Sequence, residues 1–158
     1  MVVAVGTNDF DADSWVGSRE ASEHASCKMH VMEELLAEIK RHNPSAYIIL
    51  CSVLPRPCDD VFTNEVLKMF NRRLRSYAFG NRMGYEPTWT SFVEKKPSPT
   101  EQSEPLWDMY TSRNLHLNKE GARRLYDRFR MALSKAAIDT MAARSVPPFE
   151  VQWTSAHA

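Results

Sequence analysis

The chain has 158 residues, 43% of them hydrophobic, which is enough for one buried core and too short to require two. Its 20 basic and 20 acidic residues cancel, so no global field recruits nucleic acid, anionic membrane or an acidic substrate. No apolar run approaches the roughly 18 residues that span a bilayer, and no basic leader precedes Val2. Cytoplasm or nucleus is therefore the expected location.

Val2 to Val5 is an unbroken apolar run ending in Gly6-Thr7-Asn8-Asp9, the pattern of an interior parallel strand that stops at a turn. A polar stretch follows from Asp11 to Ser22. Met29, Met32, Leu35, Leu36 and Ile39 then share a helical face that ends at Asn43-Pro44. Tyr47 to Val53 reads as a second interior strand, closed by Leu54-Pro55-Arg56-Pro57, whose prolines cannot donate to a ladder. Phe62, Val66, Phe70 and Leu74 recur at every fourth residue and predict a helix over about 63–77. Arg72, Arg73 and Arg75 fall on its solvated side.

A third strand is expected around Tyr85 to Trp89, followed by a proline-bearing connection over 91–111. Asn118 suits the N-cap of a last helix. Its expected apolar stripe is Ala122, Leu125, Phe129, Ala132, Leu133 and Ala136. Gly121 in its first turn costs helix propensity, which points to close packing against a neighbour. Periodicity fades near residue 140 and Pro147-Pro148 follows, so 140–158 is expected to be a loosely structured tail behind a domain over 1–139. Cys27, Cys51 and Cys58 are odd in number and lack metal-ligand spacing, so they are expected to be reduced and structural.

Alternating strands and helices predict an α/β domain with helices on both faces of a mostly parallel sheet. In such folds the chemistry lies at the carboxyl ends of the strands. Gly6 to Asp9 and Leu115 to Asn118 are the segments that can converge there.

Three pieces in register carry a family resemblance: Gly6-Thr7-Asn8-Asp9; Asn43-Pro44 leading to Ser52-Val53-Leu54-Pro55-Arg56; and Leu115-His116-Leu117-Asn118 before a helix. Together they resemble the later two thirds of an SGNH (GDSL-like) ester hydrolase domain. The resemblance implies a flavodoxin-like three-layer α/β/α sandwich, here with the family's first strand missing. It also implies acyl transfer, in which a serine attacks the ester carbonyl, a histidine takes its proton, an aspartate orients that histidine, and glycine and asparagine donors hold the oxyanion. No cofactor or metal is implied. The implied substrate is a small ester or acylated compound.

By the same resemblance Asn8 is the oxyanion donor, a role that can contribute roughly 10²- to 10³-fold in rate, although an asparagine there also suits a simple turn. Gly6 belongs to the same motif and is assigned to substrate binding. His116 matches the catalytic base, against the plainer reading of a surface histidine ahead of a helix. The family's aspartate position is Arg113, a cation that cannot accept the imidazole N–H and disfavours the imidazolium. Asp108, eight residues before His116, is a candidate substitute acid on chain proximity alone. No serine stands at the nucleophile's place, which the family puts on a strand before Val2. Ser14 follows the asparagine motif, in the wrong order.

The expected function is accordingly an ester-hydrolase-like domain, incomplete or inactive as given. The alternative is a non-catalytic module of the same fold, such as one carried by a mobile element. A flavodoxin-like ligand-binding domain would need a glycine-rich phosphate loop opening a helix, and the chain has none. Nucleic-acid binding through Arg72, Arg73, Arg75, Arg123, Arg124, Arg128 and Arg130 is disfavoured by zero net charge. A sheet lacking one interior strand exposes an edge, so self-association through that edge is expected.

Overall fold

Val2–Val3 (β1) pairs in parallel with Ile49–Cys51 (β2), Val2 opposite Ile49 and Val3 opposite Leu50. Gly84–Glu86 (β3) joins the other side of β2, also in parallel, with Leu50 opposite Tyr85. The structure, a computed structural model, describes residues 1–4, 10, 20–94, 104–112 and 116–145. Within them the sheet order is β1-β2-β3. Ala21–His42 (α1), Val61–Gly80 (α2) and Lys119–Ser145 (α3) are the helices, and two short 3-10 turns lie at Thr88–Ser91 and Trp107–Met109. None of the described helices is long and apolar enough to cross a membrane.

Side chains alternate across the sheet, so successive residues of β2 serve different layers. Ile48 and Leu50 enter a core with Met29, Met32 and Leu36 of α1 and with Val66, Leu67, Phe70 and Leu74 of α2. Ile49 points to the other side, where α3 runs. The expected three-layer α/β/α arrangement with a parallel sheet is what the chain adopts.

α1 buries Ala25, Met29, Met32 and Leu36. Leu35, expected on this face, is turned to solvent. Lys40, Arg41 and His42 occupy the last turn, where cations complement the helix dipole, and Pro44 forbids extension. α2 starts at Asp60, whose carboxylate accepts the Thr63 N–H at 2.7 Å, a cap that satisfies one orphan donor. It is longer than its apolar repeat predicted, and Phe62 is only at its half-exposed margin. It ends in a Schellman turn: Met83 N–H donates to Ala78 O (2.8 Å) and Arg82 N–H to Phe79 O (3.4 Å), with Arg82 at φ 54°. Met83 is buried at the residue where this motif places an apolar contact. Arg72, Arg73 and Arg75 are exposed, as expected.

The third strand differs from its expected range of 85–89. It spans Gly84–Glu86, because Pro87 has no N–H to continue the ladder and the chain coils into Thr88–Ser91. α3 continues to Ser145, past the point near residue 140 where its periodicity fades. Its stripe also differs: Ala132 is buried, Leu125 and Phe129 are half-buried, and Ala122 and Leu133 are exposed. α3 packs on β3 and on the two 3-10 turns, so its partner surface is narrower than a sheet face. Cys51 is buried and its thiol pKa is pushed up to about 12, by burial first and then by the Glu86 carboxylate. Cys27 and Cys58 are unpaired and exposed, so neither has the packing role expected of it.

Candidate active site

The carboxyl ends of β2 and β3 are tied together by polar groups that the apolar strands deliver there. Ser52 Oγ accepts the Trp89 N–H at 2.7 Å and lies 3.0 Å from Thr88 Oγ1, while the Thr88 hydroxyl donates to Ser52 O at 2.5 Å. Each hydroxyl is thus committed, and Ser52 is 4% exposed. It is a structural serine and no candidate nucleophile. One residue on, the Asn71 side chain accepts the Val53 N–H (2.8 Å) and donates to Val53 O (3.0 Å). The backbone leaving β2 is therefore held where the ladder has ended, which a buried peptide group requires.

The next turn, Pro55 to Asp60, is the platform of the site. Arg56 and Asp59 pair at 2.7 Å with their side chains 4% and 5% exposed, and Arg56 Nε donates to the same carboxylate at 3.0 Å. A buried pair of this kind is retained only when its remaining donors are satisfied. Here Arg56 Nη2, the nitrogen that pairs with Asp59, also donates to Phe10 O at 2.7 Å. Phe10 packs edge-to-face on Phe70 of α2 with ring centroids 5.2 Å apart. The chain two residues beyond Asn8 is thereby anchored to the β2 loop.

The same platform holds the segment bearing His116. The Tyr110 hydroxyl donates to Pro55 O, and burial pushes its pKa up, so it remains a donor. Tyr110 bridges to Leu117 in antiparallel register, and Thr111 N–H donates to His116 O at 2.8 Å. Asn118 completes the corner. Its Oδ1 caps α3 by accepting the Gly121 N–H (3.0 Å), and its Nδ2 donates to Asp108 O (2.6 Å) and Tyr110 O (3.1 Å). A Cβ on Gly121 would sit 2.2 Å from Met109 O, so only glycine lets α3 come this close, and the expected close packing is found.

His116 is exposed on the short corner between Tyr110 and α3. Asp108 is also exposed. Its backbone oxygen is used by Asn118, and among the described residues no contact joins its carboxylate to His116. Gly6, Asn8, Arg113 and Ser14 lie outside the described residues. Sequence reasoning missed Arg56, Asp59, Asn71 and Tyr110. Only the Pro-Arg-Pro run hinted at the first of these, because the pairings join residues far apart in the chain. Cys58 is the exposed thiol of this platform, and its pKa is raised by burial and by Asp59, which keeps it protonated and a poor nucleophile at neutral pH.

A parallel α/β domain with convergent loops at the carboxyl ends of its strands is an architecture of hydrolases that carry their chemistry on those loops. The GDSL-like Lipase/Acylhydrolase family model matches residues 1–124, and the chain belongs to that family. Among solved structures, the esterase domain of the ZfL2-1 ORF1 protein from the zebrafish ZfL2-1 retrotransposon is similar at 21% identity and a TM-score of 0.59, over 83% of this chain and 66% of that one. A GDSL-like lipase from Bacteroides thetaiotaomicron is similar at 22% identity and a TM-score of 0.56, over 85% of this chain and 62% of that one. The chain thus spans less than two thirds of the length of each, and the likeness is one of fold. No curated protein sequence matches.

Proposed function

We propose that these residues form part of an ester-hydrolase site in which Asn8 donates to the developing oxyanion and His116 is the base. We further propose that the chain as given does not turn over. One observation carries the reading: the Pro55–Asp59 loop anchors both flanks, Phe10 through Arg56 and the Leu117 corner through Tyr110. Two loops held by one short turn support a shared site at one end of the sheet, as acyl transfer needs. The substrate class is a small carboxylic ester. Gly6 is assigned to substrate binding, and Asp108, eight residues before His116, is the substitute acid that would orient it in place of Arg113.

The second reading, a non-catalytic module of this fold, is favoured by Arg113 at the aspartate position. The likeness to an esterase domain of a retrotransposon protein fits such a module serving a mobile element. Nucleic acid is not a proposed partner, and self-association through the β1 edge remains the proposed mode of pairing.

The test is proximity plus turnover. A paramagnetic label attached through Asn8→Cys, with Cys27 and Cys58 replaced by Ser, is expected to broaden the His116 imidazole resonances. An unbroadened His116 ring ends the site assignment. The unlabelled chain is expected to hydrolyse an aryl acetate no faster than buffer, since donors without a nucleophile have no tetrahedral intermediate to stabilise. Turnover that vanishes on His116→Ala would show the inactivity reading to be wrong while leaving the site intact.

A further inference from the structure

The sheet has a second face, turned away from α1 and α2. Tyr47 and Ile49 point to it, and the parallel register that sets Ile49 opposite Gly84 and Cys51 opposite Glu86 puts Gly84 and Glu86 on the same side. α3 lies over this face and presents Arg128, Ala132, Lys135, Ala136 and Asp139 to it at helical spacing. The cleft between the two layers holds about 590 Å³, within the range of small-molecule sites.

The cleft is open because both layers are thin where they face each other. Gly84 has no side chain, and a Cβ there would stand 3.2 Å from Ile49 Cγ1 and 3.3 Å from the Tyr47 ring. Across from it, α3 offers only the methyl groups of Ala132 and Ala136. At the level where β3 ends, Arg128 pairs with Glu86, so these two charges neutralise each other.

The rim is charged differently. Arg82, at the exit of α2, and Lys135, on α3, are exposed, line the cleft from two elements, and have no ion-pair partner among the described residues. Asp139, one turn beyond Lys135, stands beside them, which leaves the rim with an excess of one positive charge. Arg82 occupies the left-handed position of the Schellman turn, at φ 54°, where that motif favours glycine. An arginine held there against this preference brings a guanidinium to the cleft.

We propose that this cleft binds an aliphatic monocarboxylate, with its chain along Ile49, Gly84, Ala132 and Ala136 and its head group between Arg82 and Lys135. Burial of the chain removes apolar surface from water, and the carboxylate accepts charge-assisted hydrogen bonds from the guanidinium and the ammonium. A single negative charge matches the excess at the rim. None of these residues belongs to the candidate active site, so the proposal stands apart from the ester-hydrolase reading.

Titration of the full chain with octanoate, followed by NMR, tests it. The Gly84 amide and the Ala132 and Ala136 methyl resonances are expected to shift saturably. Arg82→Gly should weaken binding by about tenfold and leave the melting temperature no lower, because glycine suits the turn; an arginine with only a structural role would leave the affinity unchanged. Lys135→Ala, at an exposed helix position, should weaken binding by a similar factor, and Ala136→Leu should abolish it by filling the cleft. Octanol, the same chain without the charge, should bind more weakly than octanoate. Absence of a saturable shift at Gly84, equal affinities for octanol and octanoate, or an unchanged octanoate affinity in both Arg82→Gly and Lys135→Ala would each overturn the proposal.

Discussion

On one side of the sheet, α1 and α2 close over Ile48 and Leu50 with an interlocked set of side chains in which Val66, Leu67, Phe70 and Leu74 are buried. On the other side, α3 touches the sheet through Ala132 and a few directional contacts, while Leu133, Ile138 and Met141 are 48%, 66% and 69% exposed. The first face is held by area and the second by points: the Asn118 cap, the Gly121 approach and the Arg128–Glu86 pair. Apolar area is non-directional and tolerates small shifts, whereas a point contact fixes position and fails when one atom is added. The corner carrying His116 sits at the head of the point-held face.

The largest expected contrast follows from this difference. Phe70→Ala should cost about 3–5 kcal/mol of unfolding free energy, and Leu133→Ala should stay within about 0.5 kcal/mol. Denaturant titrations of both variants check it, and comparable losses would mean that α3 buries a second core in solution. The glycines sharpen the point-contact claim. Gly121→Ala should cost about 1–3 kcal/mol, because its Cβ meets the Met109 carbonyl. Gly80→Ala, with nothing within 4 Å of its Cβ, should gain about 0.4–1 kcal/mol through the unfolded chain. A neutral Gly121→Ala would show that α3 can slide on the 3-10 turn.

The smallest effect concerns pH. The Thr63 N–H and hydroxyl lower the Asp60 pKa, against a smaller contrary push from burial. A depressed folded-state pKa contributes stability that is fully present above the unfolded value, near pH 4, and that is lost as pH falls through the folded value. Asp60→Asn keeps a cap acceptor, so its melting temperature should match the native one at neutral pH and fall less steeply on acidification. Parallel acid limbs for the two proteins would assign the acid loss to other carboxylates.

Strands β1 and β2 and all three helices were legible in the sequence, because continuous apolar runs and 3.6-residue periodicity report burial directly. The margins were less so. Phe62, Leu35 and Leu133 carry the right spacing yet sit at the edge of, or outside, the contact surface, since periodicity marks a face without measuring its partner's width. The third strand was misplaced by its aromatic residues, and Pro87 decided where it stops.

For the site, sequence alone determined which residue types can do acyl chemistry and where the pattern departs from it. Asn8 and His116 are proposed from short motifs, and Arg113 stands three residues before His116, where the resemblance expects an aspartate. Tertiary structure alone decided how the loops are held. Arg56 reaches Phe10 across 46 residues and Tyr110 reaches Pro55 across 55, and no local pattern encodes a hydrogen bond between chain segments that only folding brings together.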